Sequence, residues 1–546
     1  MTFAQTRTLL RLPMRFRRPA AVVVAAAAAP VLLVSSLLFA YSDRGSGREL
    51  TILRIQQLIG NRQLVEARIQ LTEAAKRFPA DAGFDNLAGI VEAQQGNYTA
   101  AEKNFNQAIK RAPKLTAAYL NLGRLYQENV AADPQAQQKA LRVYGMVLDY
   151  DPNNLEANYQ SAVVLLQRRE YQDSLNRLSR LPPDRRGTAQ AIALLCADYA
   201  GLDNRKEADD AAARLILNPE FSELDAQQML LGLETGKRYD LITSLLESLQ
   251  NRQTLSPGTS HTLGLAYERT NRLVEARSAL EKSAAAGNLS VASLLDLARV
   301  AYRQQDYRGS LGYLAHARDL DPGNAQIHYS FGIVCVDLNL IAEARNSFEK
   351  AVNLEPENPS YNYAMGAASA FRHDPAEGVP YFEKYLKLKP HDPRGKLALG
   401  AALFRAKDYG AAVPWLREAA QVPETATTAH YYLGSIALQV RRFDDALNEL
   451  QQALKGSPDF PNALAELGQY YLMRKDYQQA EKQIRRALEI EPDHYSANFY
   501  LLTLYTRTGD PRREAQAKRF EELQKLLDEK TQELLRMVEV RPFETP

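Results

Sequence analysis

The 546-residue chain has little of what most protein chemistry needs. It holds two cysteines, Cys196 and Cys335, too few for a disulfide framework or a metal knuckle. Its seven histidines are scattered, with no pair at metal-ligand spacing and no HExxH. It has no GxSxG elbow and no Rossmann fingerprint. The nearest approach to a phosphate loop, GLETGK at 232–237, is one residue short and continues with Arg238 where a Ser or Thr would hold magnesium. A helix-turn-helix corner explains those residues as well. Nor is there an excess of one charge: 67 Lys plus Arg face 65 Asp plus Glu, a net +2. That balance gives no general attraction to nucleic acid. No catalytic residue, cofactor, metal or small-molecule substrate is expected. An enzyme with a site assembled across the chain and an RNA-binding helical repeat are the readings these absences weaken most.

What is present begins at the N-terminus. Residues 1–19 carry Arg7, Arg11, Arg15, Arg17 and Arg18 and no acid. Ala20 to Tyr41 then runs without a charge, and about 20 apolar residues suffice to span a bilayer. A transmembrane signal anchor is expected at 20–41, joined to the rest by a linker at 42–48. The arginines before the span place the N-terminus in the cytoplasm and the remainder outside it. A cleaved signal, with the mature chain beginning just after Ser42, is the alternative. A buried soluble helix is a third reading, weakened by the lack of a polar face.

From about residue 49 the sequence repeats itself. Residues 325–358 and 461–494 align over 34 positions. Position 8 is Gly332 and Gly468, position 20 is Ala344 and Ala480, position 27 is Ala351 and Ala487, and position 32 is Pro356 and Pro492. Positions 4, 7, 8 and 11 share one face of a first helix, and 20, 24, 27 and 28 one face of a second. Small residues at 8 and 20 let the two helices approach closely, and the proline ends the second. The marks recur in units starting near 48, 82, 116, 155, 188, 221, 257, 291, 325, 359, 393, 427, 461 and 495. The third unit carries about five extra residues around Val130 to Pro134, read as a longer turn between its helices. Residues 184–256 keep Ala208, Gly232 and Gly236 but little else, so they are degenerate repeats or a hinge between arrays at 49–183 and 257–511. Phe520, Leu523, Leu527, Leu534 and Val538 form an apolar stripe within 512–546, which reads as a capping helix.

This pattern resembles the tetratricopeptide repeat family. The resemblance implies an all-α, right-handed α-solenoid of about fourteen helical hairpins that holds other proteins. It departs in having no tryptophan at position 4; the one tryptophan, Trp415, falls in a second helix. In the family, positions 2, 5, 9, 12 and 13 line a concave surface that receives peptides. Here that stripe is densest over 291–440. Its candidates are Arg299, Tyr302, Arg303, Tyr329, Tyr363, Phe371, Phe404, Arg405 and Tyr431. Tyrosine and arginine are what interface hot spots favour, although position-5 tyrosines can also simply fill the space between neighbouring first helices. The expected function is a membrane-anchored, extracytoplasmic scaffold binding a protein or peptide. A periplasmic assembly factor for an exported polysaccharide, pilus or outer-membrane machine is the narrower alternative.

Overall fold

The computed structural model describes residues 47–369 and 375–536. The expected anchor at 20–41, the tail before it, Phe371 and Val538 lie outside the described residues, as do the side chains of Leu527 and Leu534. Among the described residues there are 29 α-helices, one 3-10 helix and no strand. None of those helices is long and apolar enough to cross a membrane.

The chain divides into two compact units, meeting at 288/289 rather than at the edges of the degenerate segment. The first holds α1 (Gly47–Gly60), α2 (Leu64–Arg77), α3 (Ala82–Gln94), α4 (Tyr98–Arg111), α5 (Thr116–Glu128), α6 (Ala136–Tyr150), α7 (Leu155–Gln167), α8 (Tyr171–Leu178), the single turn α9 (Pro183–Arg186), α10 (Ala189–Gly201), α11 (Arg205–Leu217), α12 (Glu223–Thr235), α13 (Tyr239–Gln250), α14 (Pro257–Arg269) and α15 (Leu273–Ala285). The second holds α16 (Val291–Arg303), α17 (Tyr307–Leu320), α18 (Ala325–Asp337), α19 (Ile341–Leu354), α20 (Pro359–Ser369), α21 (Val379–Leu388), α22 (Pro393–Arg405), α23 (Tyr409–Ala420), α24 (Pro423–Gln439), α25 (Phe443–Gly456), α26 (Pro461–Met473), α27 (Tyr477–Ile490), α28 (Tyr495–Thr508) and α29 (Arg513–Arg536). Within each unit these are helical hairpins stacked in chain order. They make an all-α repeat solenoid.

The hairpins close as the small residues require. A side chain at Gly332 would collide with the Phe348 ring, one at Gly468 with Ile484, and one at Gly89 with Phe105. Position 8 therefore makes room for the bulky residue at position 24 of the same hairpin. Position 20 is sealed on the other side: Ala67, Ala101, Ala344, Ala412 and Ala480 are all fully buried. Where the marks change, polar atoms find partners. Ser310 Oγ donates to the Ala298 carbonyl at 2.8 Å, and Ser174 Oγ to that of Ala162 at 3.1 Å. The longer turn of the third unit lies where expected, between Glu128 and Ala136.

Two recurring devices carry the turns. The residue at position 15 adopts a left-handed backbone conformation at Arg62, Arg169, Asp203, Lys237, Asn271, Gln305, Asn339, Lys407, Arg441 and Lys475, and at Gly96 and Gly509. Position 4, where the family's tryptophan is absent, ties the preceding turn to the next helix. Asn158, Asn362 and Asn498 donate to the carbonyls of Pro152, Pro356 and Pro492 at 3.0, 2.8 and 3.0 Å. His328 and Tyr119 reach Pro322 and Pro113 in the same way. His328 is thus a turn clamp, satisfying a carbonyl that a helix end leaves open.

The left-handed turns also correct the repeat register. From Arg169 to Asn339 and from Lys407 to Gly509 they fall 34 residues apart. The units expected near 188 and 221 begin at 189 and 223, and 184–256 contains two helical hairpins, α10/α11 and α12/α13. Their packing differs. A side chain at Gly232 or Gly236 would strike the backbone carbonyls of Ala197 and Ala200, on the first helix of the preceding hairpin. Buried Arg238 pairs with Asp240 at 2.7 Å and with Asp209 of that hairpin. GLETGK is the end of α12 and its turn.

The C-terminal end of the second unit is covered. Phe520 and Leu523 of α29 are buried, and the Phe520 ring lies 5.0 Å from Tyr495 and 5.7 Å from Phe499. With α29 as its partner, α28 completes a fourteenth hairpin.

Candidate functional site: the first-helix face of residues 291–440

The nine candidate residues separate into three groups. Tyr329, Tyr363 and Tyr431 are buried. The Tyr329 ring stands 5.0 Å from Tyr361 on the next first helix and 5.9 Å from Phe348. Tyr363 meets Phe382 at 5.5 Å and Tyr385 at 5.1 Å, and Tyr431 meets Phe460 at 5.4 Å. Burial pushes the Tyr329 and Tyr363 hydroxyls up to about 12 and that of Tyr431 well above its ordinary value. The expectation that these three line an open groove is corrected. In these three repeats position 5 points into the seam where a first helix meets its neighbours, so its aromatic ring packs the array.

Arg299, Tyr302, Arg303, Phe404 and Arg405 remain at least partly exposed. Tyr302 and Phe404 occupy position 12 of their repeats, and Arg303 and Arg405 position 13. Arg299 is held by Asp296 of its own helix at 2.7 Å. The Tyr302 hydroxyl donates to Asp337 Oδ2 of α18 at 2.5 Å, and its ring lies 5.4 Å from Tyr307. Phe404 is flanked by Tyr409 at 5.8 Å and Tyr432 at 5.3 Å. Burial lowers the Arg405 guanidinium from its ordinary value, with neighbouring Tyr432 opposing that shift. Phe371, at position 13 between these rungs, lies outside the described residues.

Sequence reasoning missed the acids on this face. Asp337 stands at position 13 between Arg303 and Phe371, so the row is not uniformly basic. Farther along, Ser435 Oγ, Glu466 Oε2 and Gln469 Oε1 are buried without a hydrogen-bond partner. Tyr500 donates to the other Glu466 oxygen at 3.2 Å, and burial pushes the Glu466 carboxyl up to about 7. Ser435 and Gln469 share position 9 of adjacent repeats; their polarity at equivalent positions was the available signal.

Cys196 and Cys335 are buried, with thiols pushed up to about 12 by burial, and such thiols are inert. Among the described residues no group of three or more His, Cys, Asp or Glu could hold a metal ion. What the face offers is partly exposed aromatic area beside arginine and carboxylate groups, repeated at fixed rungs.

Comparison with known proteins agrees with the repeat reading. A tetratricopeptide repeat model matches residues 54–116, 86–142, 295–363, 363–426 and 431–495, together more than half of the chain, and a second such model matches 131–198. No curated protein matches. Among solved structures, the chain is similar to one in the Cut9–Hcn1 hetero-tetramer of APC/C, at 13% identity over 84% of this chain and 96% of that one, with a TM-score of 0.39. It is similar to the C-terminal part of a TPR repeat-containing protein from Cytophaga hutchinsonii, at 17% identity over 43% and 96%, TM-score 0.38. A third is YrrB, described as a TPR protein with an unusual peptide-binding site, at 22% identity over 34% and 95%, TM-score 0.28. At these scores the solved structures carry no argument about partners. The repeat matches themselves, joined to glycines and alanines that perform their expected roles, make this chain a member of the tetratricopeptide repeat family.

Proposed function

We propose that the protein is a non-catalytic scaffold that binds a segment of another protein along the first-helix face of residues 291–440. The observation that carries this is the pairing, at the same register positions, of a part-exposed aromatic with an arginine: Tyr302 with Arg303 and Phe404 with Arg405. Aromatic area and a bidentate cation are what protein interfaces concentrate. The partner segment presents carboxylates to the arginines and apolar groups to the rings, in extended or helical form. The uncharged run at 20–41 anchors the scaffold in a membrane, and the arginines before it leave the repeats on the extracytoplasmic side.

The test is photo-crosslinking from the full chain in its own cell. A photoreactive residue at Arg303 or Arg405 should capture a protein that one at Lys350, exposed on a second helix, does not. Capture from Lys350 alone would place the interface elsewhere. Carbonate extraction of the same samples tests the anchor: the protein should stay in the membrane fraction, and release would remove the anchor reading.

A further inference from the structure

Among the described residues the first repeat has an exposed apolar face, at a position that is covered in the repeats that follow. Position 3 of the first helix is buried at Phe84, Ala118, Ala157, Ala191, Asp225 and Thr259 of the first unit, none more than 4% exposed. There a preceding second helix lies alongside, as α2 does on α3 and α4 on α5. In α1 the same position is Leu50, 60% exposed, and one turn on is Leu53, 50% exposed. Where the equivalent of Leu53 is also a leucine, at Leu87 and Leu194, it is buried. Solenoids ordinarily close such ends with a polar face. Leucine at an uncovered end needs an apolar occupant.

We propose that this occupant is the interfacial layer of the bilayer, so that α1 sits on the membrane surface with Leu50 and Leu53 turned into it. The proposal rests on the anchor reading of residues 20–41. The apolar run ends at Tyr41 and α1 begins at Gly47. Six residues of chain reach no more than about 20 Å, so an anchored first hairpin cannot leave the membrane's vicinity. Arg54 and Arg62 are exposed on the same hairpin. Basic groups beside apolar ones are the composition that binds at a lipid headgroup boundary.

The native cysteines are buried, which makes an added surface cysteine selectively reactive. Full-length Leu53→Cys, carrying an environment-sensitive fluorophore, is reconstituted into vesicles of phosphatidylcholine and phosphatidylglycerol that include a headgroup-level nitroxide lipid. The same label on Leu217→Cys, at an exposed position of α11, is the reference. The expected result is loss of fluorescence to the lipid nitroxide at position 53 and none at 217, with both proteins floating with the vesicles. Flotation with position 53 quenched instead by aqueous iodide overturns the seating and leaves the anchor standing. Protection from both quenchers means that protein covers the leucines, either this chain or a second copy, and also overturns it. Failure to float removes the anchor reading and this proposal with it.

Discussion

Gly332 and Gly232 are both buried glycines of first helices, yet they make room for different neighbours. Gly332 accommodates the Phe348 side chain of its own hairpin, whereas Gly232 lies against the Ala197 backbone of the hairpin before. In the regular repeats the glycine sets the distance within a hairpin. In 189–250 it sets the distance between hairpins, and the motif that marks the family disappears although the 34-residue period of the turns continues. Repeat period and repeat motif are therefore separable: the period belongs to the stacking, the motif to one way of filling the hairpin.

The contrast predicts a graded set of effects. Gly232→Leu should be the most damaging, above about 4 kcal/mol, because its obstacle is backbone that cannot rotate away. Equilibrium denaturation would show it as loss of the transition arising from the first unit. Next is Asp198 of α10, fully buried, with both carboxylate oxygens lacking a close hydrogen-bond partner. Burial pushes its carboxyl up to about 8, the nearby Ser174 hydroxyl only partly opposing this. A folded-state pKa above the unfolded one means that the protonated form is favoured by folding. The stabilisation is complete at low pH, below the unfolded carboxyl range, and declines as pH rises to 8. Asp198→Asn should remove that decline and leave the protein more stable at pH 8 by a few kcal/mol, on the order set by 1.4 kcal/mol per pKa unit. Equal pH profiles for the two proteins would mean that Asp198 finds a charge partner when folded.

Gly332→Ala should cost about 1–3 kcal/mol, since the Phe348 ring can shift. A larger loss here than at Gly232 would reverse the comparison. The smallest effect expected is at the turn clamp. Asn362→Leu removes the bond to the Pro356 carbonyl and should lower stability by about 1 kcal/mol, read as a small shift of the second unit's melting midpoint.

The hairpins, their small residues and the long turn after Glu128 were legible because each rests on local periodicity and on proline. The starts at 189 and 223 were not. Cys196 and Leu230 stand at their position 8 where the marker glycine was sought. Of the candidate site, only exposure can be compared: positions 12 and 13 were read as accessible, and Arg303 is exposed while Tyr302, Phe404 and Arg405 are half-buried. The tyrosines at position 5 were misplaced because one helical wheel treats a first helix as if it had a single neighbour. In the array it has several, and Tyr329 spans from Phe348 to Tyr361. Asp337, bonded to Tyr302 across a repeat boundary, could not be foreseen without knowing which rungs adjoin.

The account turns on the claim that 189–250 is a continuous, tightly stacked part of the array rather than a hinge. Amide hydrogen exchange of the full chain tests this directly. The account predicts that amides of α10 to α13 are protected as strongly as those of α14 and α15, because the Gly232–Ala197 contact ties successive hairpins together. Rapid exchange throughout α10 to α13, beside protected helices on both sides, would contradict it.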